Sequence, residues 1–201
     1  MKKIILMIAF ILGASYLYNG YAQSVGEFSY QASFPTGKFS DFVGKTSWVG
    51  FTGQGRKYMK DDQLSIGGSL SWFYFPDKKG KQTVQLEGDG GVYTGNQTNY
   101  TNIYGLMGIV QYDFKKRKEH TVPFVRGGVG IAYQNQHADV GLYTYQYDGV
   151  QFMGNLEAGI RFNYTNKGLV LAATYHNLPA AGDVVATSFF GVKIGISGFS
   201  Y

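Results

Sequence analysis

Apolar and polar side chains alternate along most of the chain, most clearly over residues 150–164. One face of this segment is apolar: Val150, Phe152, Leu156, Ala158, Ile160, Phe162 and Tyr164. The other face is mainly polar: Gln151, Asn155, Glu157, Arg161 and Asn163. A period of two predicts a β-strand whose two faces lie in different surroundings. A strand of a soluble β-sandwich gives the same pattern, so this strand alone does not identify the fold class, and the whole set of strands is needed.

The same alternation recurs along the chain and predicts eight strands. We place them at residues 24–34, 46–59, 64–76, 100–114, 122–136, 150–164, 169–176 and 184–201. In the last segment, Phe199 has the opposite parity to the apolar row that ends at Ile196. A β-bulge near Gly198 would reconcile the two.

The connections between these segments alternate in length. Short connections follow strands 2, 4 and 6, at residues 60–62, 115–121 and 165–167. The other side of the sheet has the connections at residues 36–45, 77–99, 137–149 and 178–183. Short turns on one side, longer loops on the other and an even strand number are typical of outer-membrane barrels. We therefore predict an all-β fold, an eight-stranded antiparallel up-and-down transmembrane β-barrel whose interior is filled by side chains.

Aromatic side chains lie near the ends of the predicted outward rows, as in the girdles of bilayer-spanning barrels. We predict these as membrane-interface residues: Trp72, Tyr74, Tyr100, Tyr112, Tyr133, Tyr164 and Tyr175. Because lipid offers no partner for unpaired backbone amides, the first and last strands have to pair and close the sheet.

Residues 1–22 have the features of a secretory signal peptide. A basic start precedes an apolar run over residues 4–12, and Ala22 ends a small-x-small cleavage motif. A transmembrane anchor would need about 20 apolar residues. We therefore assign residues 23–201 to the barrel domain.

The composition narrows the chemistry further. The 201 residues include no Cys and three His, and 15% are charged. The absence of Cys excludes disulfides, thiolate metal sites and cysteine nucleophiles. The charged fraction is well below the roughly 25% of a typical soluble domain. The mild formal net charge of +5 gives no argument for a nucleic-acid partner, and the scattered His residues predict no metal site and no cofactor.

Short motifs across the mature chain carry a family resemblance. They are ASFPTGKFSDF at residues 32–42, GF at 50–51, LSIG at 64–67, PFVRGGVG at 123–130, GLY at 141–143 and LEAGI at 156–160. Together with an aromatic terminal residue, they resemble the outer-membrane β-barrel domain proteins common in Bacteroidetes, small barrels of the OmpX and OmpA type. The resemblance implies an eight-stranded barrel in the outer membrane and no shared reaction. The end of the chain, residues 199–201, is similar to the signal read by the barrel-assembly machinery, which the resemblance implies as a partner during biogenesis.

The predicted inward positions include a set of mixed charges. These are Glu27, Arg56, Arg126, Glu157, Arg161 and Lys193. Opposite charges can pair across neighbouring strands, whereas like charges buried together would be costly. We therefore expect a plugged, ion-paired lumen, with small and polar side chains lining a tight interior. A narrow channel or small-ligand barrel stays open as an alternative.

A catalytic alternative rests on the last predicted hairpin. His176 and Ser188 near its outer end, with Asp183 as an orienting carboxylate, would suit an outer-leaflet enzyme that modifies lipid A. However, His176 has the lumen parity and Ser188 the lipid-facing parity, so we expect no catalysis. We expect His137 in a loop and His120 in a periplasmic turn.

Two glycine-rich runs and one basic run have structural interpretations. No helix is predicted after residues 88–91 or 127–130, so neither run has the geometry of a phosphate-binding loop. We expect the first at a hairpin tip and the second to relieve crowding inside the barrel. Residues 115–118 are expected to form a solvated periplasmic turn, with contact to phospholipid headgroups as an open alternative.

The sequence therefore predicts a structural or cell-surface interaction role through external loops, because loops on a rigid scaffold carry recognition. The candidate contact residues are Tyr93, Tyr100, Tyr143, Tyr145 and Tyr147. Expected partners are outer-membrane lipids, lipopolysaccharide and an unidentified extracellular partner, and the expected location is the bacterial outer membrane after export.

Overall fold

The structure is a closed barrel in which each strand pairs with the next and the last strand pairs with the first. The computed structural model describes residues 24–59, 62–85, 92–140, 143–182 and 184–200. The strands are β1 (Ser24–Thr36), β2 (Val49–Tyr58), β3 (Leu64–Gln85), β4 (Val92–Asp113), β5 (Thr121–Val140), β6 (Tyr143–Tyr164), β7 (Lys167–Leu178) and β8 (Thr187–Ser200). A short helix, α1 (Lys38–Phe42), lies in the β1–β2 connection. The predicted fold class is confirmed, whereas the predicted signal peptide, residues 1–22, lies outside the described residues.

The two ends of the barrel differ, as the connection lengths predict. The short β2–β3, β4–β5 and β6–β7 connections lie at the end where β1 begins and β8 finishes, which we call the turn end. Asp62 and Thr165 adopt positive φ in two of these turns, at 54° and 50°. The opposite end, which we call the loop end, has the β1–β2, β3–β4, β5–β6 and β7–β8 connections, the first of which contains α1. Within the described ranges, no helix is long or apolar enough to cross a bilayer.

The loop end is more regular than the sequence pattern predicts. The predicted loop 77–99 is largely strand, because β3 and β4 stay paired up to Gln85 and Val92. The predicted loop 137–149 is likewise strand, with β5 and β6 paired up to Val140 and Tyr143. In these extensions both faces are rich in polar residues, so alternation gives no signal. The glycine run 88–91 lies outside the described residues.

Two glycine positions, Gly198 and Gly130, show how the strands pack against each other. The register of β8 is continuous past Gly198 with β1 and up to Gly198 with β7, so the predicted bulge is wrong. Phe199 instead turns inward, where the Arg161 guanidinium carbon lies 5.2 Å from its ring centroid. At Gly130, an added Cβ would lie 2.1 Å from the Leu106 carbonyl oxygen. A side chain at this position would therefore collide with the backbone of β4.

Alternation along the strands separates an apolar exterior from a filled interior. The exposed outward rows include Phe28, Leu70, Leu106, Val129, Phe152, Leu156, Ile160, Leu171, Val192 and Ile196. Leu156 is 66% exposed, although it lies in the middle of the long strand β6. The outward row from Val150 to Tyr164 spans about 33 Å along the barrel axis, taking about 3.3 Å per residue and a tilt near 45°. That height matches the hydrocarbon core of a bilayer, about 30 Å.

Candidate functional site: the lumen and the loop end

Five charged side chains form a network inside the turn half of the barrel. The carboxylate of Glu27 accepts hydrogen bonds from Arg126 at 2.9 Å and from Arg56 at 3.3 Å. Arg126 also donates to Glu157 at 2.8 Å. Lys193 lies 2.6 Å from Glu157 and 3.4 Å from Glu27. None of the five is more than 6% exposed, so opposite charges offset each other where water is scarce.

Arg161, the sixth predicted lumen charge, pairs with a residue that the sequence analysis missed. Asp113 accepts from Arg161 at 2.9 Å and from the Tyr58 hydroxyl at 2.5 Å. Gln111 joins this pair to the larger network, because it donates to Asp113 and accepts from Arg126 at 2.8 Å. The sequence could have placed both residues in the lumen, because positions 111 and 113 have the inward parity of β4, opposite the exposed Tyr112.

The loop half of the lumen contains a large apolar cluster beside buried polar side chains such as Gln134 and Gln151, which corrects the expectation that only small and polar side chains line the interior. Phe39 of α1 inserts into this half and contacts Phe75 edge-on at a ring distance of 5.1 Å. Phe189 packs against Phe75 at 5.0 Å and against Phe73 at 5.1 Å. The same buried cluster contains Val43, Ile103, Met107, Ile109, Ala132, Met153 and Leu178. The fold of the β1–β2 connection therefore adds side chains to the interior that no strand provides.

Between the two halves lies a cavity of about 10 Å³, lined in part by Gln54, Ser69, Arg126, Thr174 and Lys193. This volume corresponds to about one water molecule. Side chains therefore occupy the lumen both above and below a cavity of this size.

The structure does not bring the proposed catalytic residues together. His176 is 3% exposed, stacked on the Phe189 ring at 4.6 Å and next to Asn155 at 3.3 Å. Ser188 lies on the outward parity and donates to the Thr36 carbonyl oxygen at 3.1 Å. Asp183 lies outside the described residues. Within the described part of the chain, no three His, Asp or Glu side chains are grouped so as to hold a metal ion.

The other two histidines differ in how well their positions were predicted. His137 lies in β5 and not in a loop, with its ring stacked on Tyr100 at 4.5 Å. His120 lies in the β4–β5 turn, where its ring meets Tyr164 edge-on at 5.2 Å. Neither contact gives a nucleophile or a proton acceptor at a cleft.

The predicted interface aromatics all have the outward parity. Trp72, Tyr112, Tyr133 and Tyr164 are exposed, whereas Tyr74, Tyr100 and Tyr175 are half-buried. Rings next to the half-buried tyrosines account for their burial, with Tyr74 and Tyr100 at 6.4 Å and Tyr175 and Phe190 at 4.8 Å.

The basic turn is only partly solvated. Lys115, Lys116 and Lys118 are exposed, but Arg117 is buried, with its guanidinium carbon 5.5 Å from the Tyr58 ring centroid. The Asn163 side chain donates to the Arg117 carbonyl oxygen at 2.8 Å. The expectation of a fully solvated turn is therefore wrong for Arg117, which closes the lumen at the turn end.

Of the candidate contact tyrosines, Tyr145 and Tyr147 are exposed, 36% and 43%, on the face of β6 that continues the lumen lining. Tyr100 lies on the opposite, outer face of the barrel wall. The side chains of Tyr93 and Tyr143 lie outside the described part of the structure.

Comparisons with known proteins identify the architecture. No protein-family model matches the chain, and no curated protein matches it in sequence. Its structure is similar to that of Ail, the attachment invasion locus protein of Yersinia pestis, solved with the heparin analogue sucrose octasulfate. That match has a TM-score of 0.55 at 13% identity and covers 89% of this chain and 99% of Ail. Neisserial surface protein A matches with a TM-score of 0.54 at 9% identity, over 88% of this chain and 96% of the other. At these identities the similarity establishes the fold: a small, closed, eight-stranded barrel of the kind formed by Ail and Neisserial surface protein A.

Proposed function

We propose that this protein is an integral outer-membrane barrel that presents a binding surface at the cell exterior and performs no catalysis. One observation carries the proposal: a closed sheet has an apolar exterior of bilayer height around an interior filled by its own side chains. Such an exterior requires lipid, because apolar rows of this extent would be unstable in water. The polar surface left for recognition is concentrated at the two ends.

The filled interior favours a binding role over a channel. The charged network crosses the lumen from Glu27 on β1 to Glu157 on β6. The aromatic cluster around Phe75 and Phe39 closes the loop half. An ion would have to displace paired charges and packed rings in turn, so we expect no conductance.

The similar structures support a role at the cell surface. The names of Ail and Neisserial surface protein A describe an attachment and invasion protein and a surface protein, and Ail was crystallised with a heparin analogue. We extend from them only the class of role, display of a binding surface on a small barrel.

The membrane setting defines further parts of the proposal. Residues 1–22 direct export and are cleaved, and the barrel-assembly machinery inserts the mature chain. The outward aromatics, such as Trp72 at the loop end and Tyr164 at the turn end, anchor the barrel at the two interfaces. Lipopolysaccharide and outer-membrane phospholipids are its lipid partners.

Surface labelling tests this orientation directly, because the chain contains no Cys. Single Gln146→Cys and Lys116→Cys variants place one thiol at each end of the barrel. On intact cells, a membrane-impermeant maleimide should label the Gln146→Cys variant. The Lys116→Cys variant should react only after the outer membrane is permeabilised. Labelling of both variants, or of neither, on intact cells would contradict the proposed orientation.

Two further measurements separate the competing functions. The purified barrel in planar bilayers should show no discrete conductance steps, and cells lacking the protein should keep an unchanged lipid A mass spectrum. Conductance steps would favour a channel, and an altered spectrum that His176→Ala reproduces would favour an enzyme.

A further inference from the structure

An irregularity in β3 brings lysine side chains together on the outer face of the barrel at the loop end. The pairing of β3 with β4 shifts register between Lys78 and Gly80, and Gly80 adopts a φ of 73°. In a regular strand, residues 78 and 81 would face opposite sides, because successive side chains alternate. The extra residue brings both lysines to one face. Their partners on β4 are Thr98 and Asn96, which lie two positions apart on the outer face.

The β1–β2 connection adds further lysines beside this bulge. The Lys45 ammonium group donates to the Lys78 carbonyl oxygen at 2.9 Å. That of Lys79 donates to the Asp41 carbonyl oxygen at 2.5 Å. We define the lysine sector as Lys38 of α1, Lys45, Lys78, Lys79 and Lys81. The carboxylates in the β1–β2 connection and the described end of β3 are those of Asp41 and Asp77, so the five lysines leave this surface with a positive charge.

Cations at the loop end are confined to this sector. In the described loop halves of β4–β8, the outward positions carry no Lys or Arg. The outer faces of β5 and β6 carry Asp139 and Asp148 instead. Asp139 lies in the same cross-strand row as Lys78, two strands away, where it limits the cationic surface. An anionic partner is therefore expected against β3 and the β1–β2 connection, and not around the whole barrel.

The height of the lysine sector fits the lipid headgroups. Lys78 continues the outward row of Trp72 and Tyr74 on β3. It lies beyond Tyr74 by about 9 Å along the barrel axis, taking about 3.3 Å per residue and a tilt near 45°. The headgroup layer on each side of a bilayer is about 5–8 Å thick, and long lysine side chains can reach back to it. Lys78 and Lys81 therefore face the headgroups around the barrel and not the mouth of the lumen.

Lysine side chains at this position suit phosphate groups carried by lipid. An ammonium group binds phosphate as a point charge, without the fixed geometry that a guanidinium group requires. Lysines close to an anionic membrane surface each contribute to binding. A soluble polyanion would approach from the exterior, whereas side chains on the outer wall meet the lipids around the barrel. In the outer leaflet, lipopolysaccharide carries phosphate groups on the sugars of its lipid A head.

We infer that the lysine sector binds the lipid A phosphates of lipopolysaccharide, with Lys78 and Lys81 as the main contacts. The inference rests on the proposed function, because it requires the loop end to face the cell exterior, and it gives the lipid partner a defined site on one side of the barrel.

The experiment uses native mass spectrometry of the full barrel in detergent, titrated with bisphosphoryl lipid A and with the same lipid A after removal of its phosphates. The unchanged protein should bind the phosphorylated lipid at least about tenfold more tightly. The double variant Lys78→Gln with Lys81→Gln should bind it about twentyfold more weakly, from about fivefold per lysine. Its affinity for the dephosphorylated lipid should stay unchanged.

The matched control is the double variant Lys116→Gln with Lys118→Gln. These two lysines are exposed at the turn end, and their substitution removes the same charge. In detergent both ends of the barrel are accessible, so the control separates a site from a general effect of net charge. Its affinity for bisphosphoryl lipid A should stay within about twofold of the unchanged protein.

Three results would overturn the inference: equal binding of the two forms of lipid A, equal losses in the two double variants, or tighter binding of dextran sulfate than of bisphosphoryl lipid A. The last result would assign the lysine sector to a soluble polyanion. Each variant is first shown to be folded by its heat-modifiable migration on gels. A folded barrel that passes the surface-labelling test yet shows no preference for phosphorylated lipid refutes this inference alone. Failure of the labelling test refutes the proposed function.

Discussion

The two halves of the lumen are built from the same strands but are stabilised in different ways. In the turn half, Glu27 and Glu157 hold three cations through directional contacts of 2.6–3.4 Å. In the loop half, Phe75 and its neighbours fill space without any charge. A narrow barrel can therefore fill its interior either with paired charges or with packed apolar side chains. The two halves should therefore respond differently to the same kind of substitution.

The largest effect should come from removing one charge without changing shape. Glu27→Gln leaves Arg56, Arg126 and Lys193 with Glu157 as the remaining carboxylate of the network. Breaking a buried ion pair in this way costs about 3–5 kcal/mol of unfolding free energy. Urea unfolding from phospholipid vesicles, followed by tryptophan fluorescence, measures the loss. Ser29→Ala, at the next inward position of β1, is the control and should cost about 1 kcal/mol; equal losses in the two variants would show that charge is not what holds this half together.

The loop half should respond to volume instead. Phe75→Ala removes a ring that packs on Phe39 and Phe189, and should cost about 3 kcal/mol. This value is the lower end of the usual range for Phe→Ala in a core, about 3–5 kcal/mol. Phe75→Leu keeps most of the volume and should cost less than about 1.5 kcal/mol in the same unfolding assay. A Leu variant as unstable as the Ala variant would contradict a packing role.

The glycine positions test how tightly the strands approach each other. Gly130→Ala forces a methyl group against the Leu106 carbonyl oxygen and should cost about 1–3 kcal/mol. Gly108→Ala is the matched control on the outward face, where the nearest atom to an added Cβ is 3.9 Å away. Unfolding of both variants at the same urea concentration would contradict the close approach of β4 and β5 at Gly130.

The smallest effect should come from an ion pair at the loop end that has one exposed partner. Lys45 lies 3.4 Å from Asp77, and the Lys45 side chain is 60% exposed whereas that of Asp77 is 6% exposed. Water and salt screen the Lys45 ammonium group, and the Gly44 amide still donates to Asp77 when Lys45 is removed, so Lys45→Ala should change the unfolding free energy by about 0–1 kcal/mol. A loss as large as that of Glu27→Gln would mean that exposure of one partner does not weaken an ion pair in this protein.

The sequence predicts the barrel well because alternation is strong wherever one face meets lipid. The rows through Leu156 and Val192 are found where the pattern puts them. The hairpin extensions were missed because polar residues dominate both of their faces, as around His137. The aromatic half of the lumen was missed for another reason: Phe39 enters the interior from a connection, which a strand pattern cannot show.

The candidate site is likewise only partly predictable from the sequence. The positions of Arg126 and Glu157 follow from parity alone, and opposite charges at inward positions then suggest pairing. The hydrogen bonds of Gln134 and Gln151 do not follow from parity, because their partners are Thr187 at the start of β8 and Pro179 in the β7–β8 connection. Such hydrogen bonds are a property of the folded surroundings and not of residue type.

The central claim is an apolar exterior in lipid around a closed lumen, and spin-label accessibility tests it most directly. Single Leu156→Cys and Val192→Cys variants carry labels on the outward rows, and a Thr174→Cys variant carries one facing the lumen. In membranes, the outward labels should be relaxed strongly by dissolved oxygen and weakly by a water-soluble nickel complex, and the inward label weakly by both. Strong relaxation of the outward labels by the nickel complex would contradict a lipid-facing exterior, and strong relaxation of the inward label by it would contradict a closed lumen.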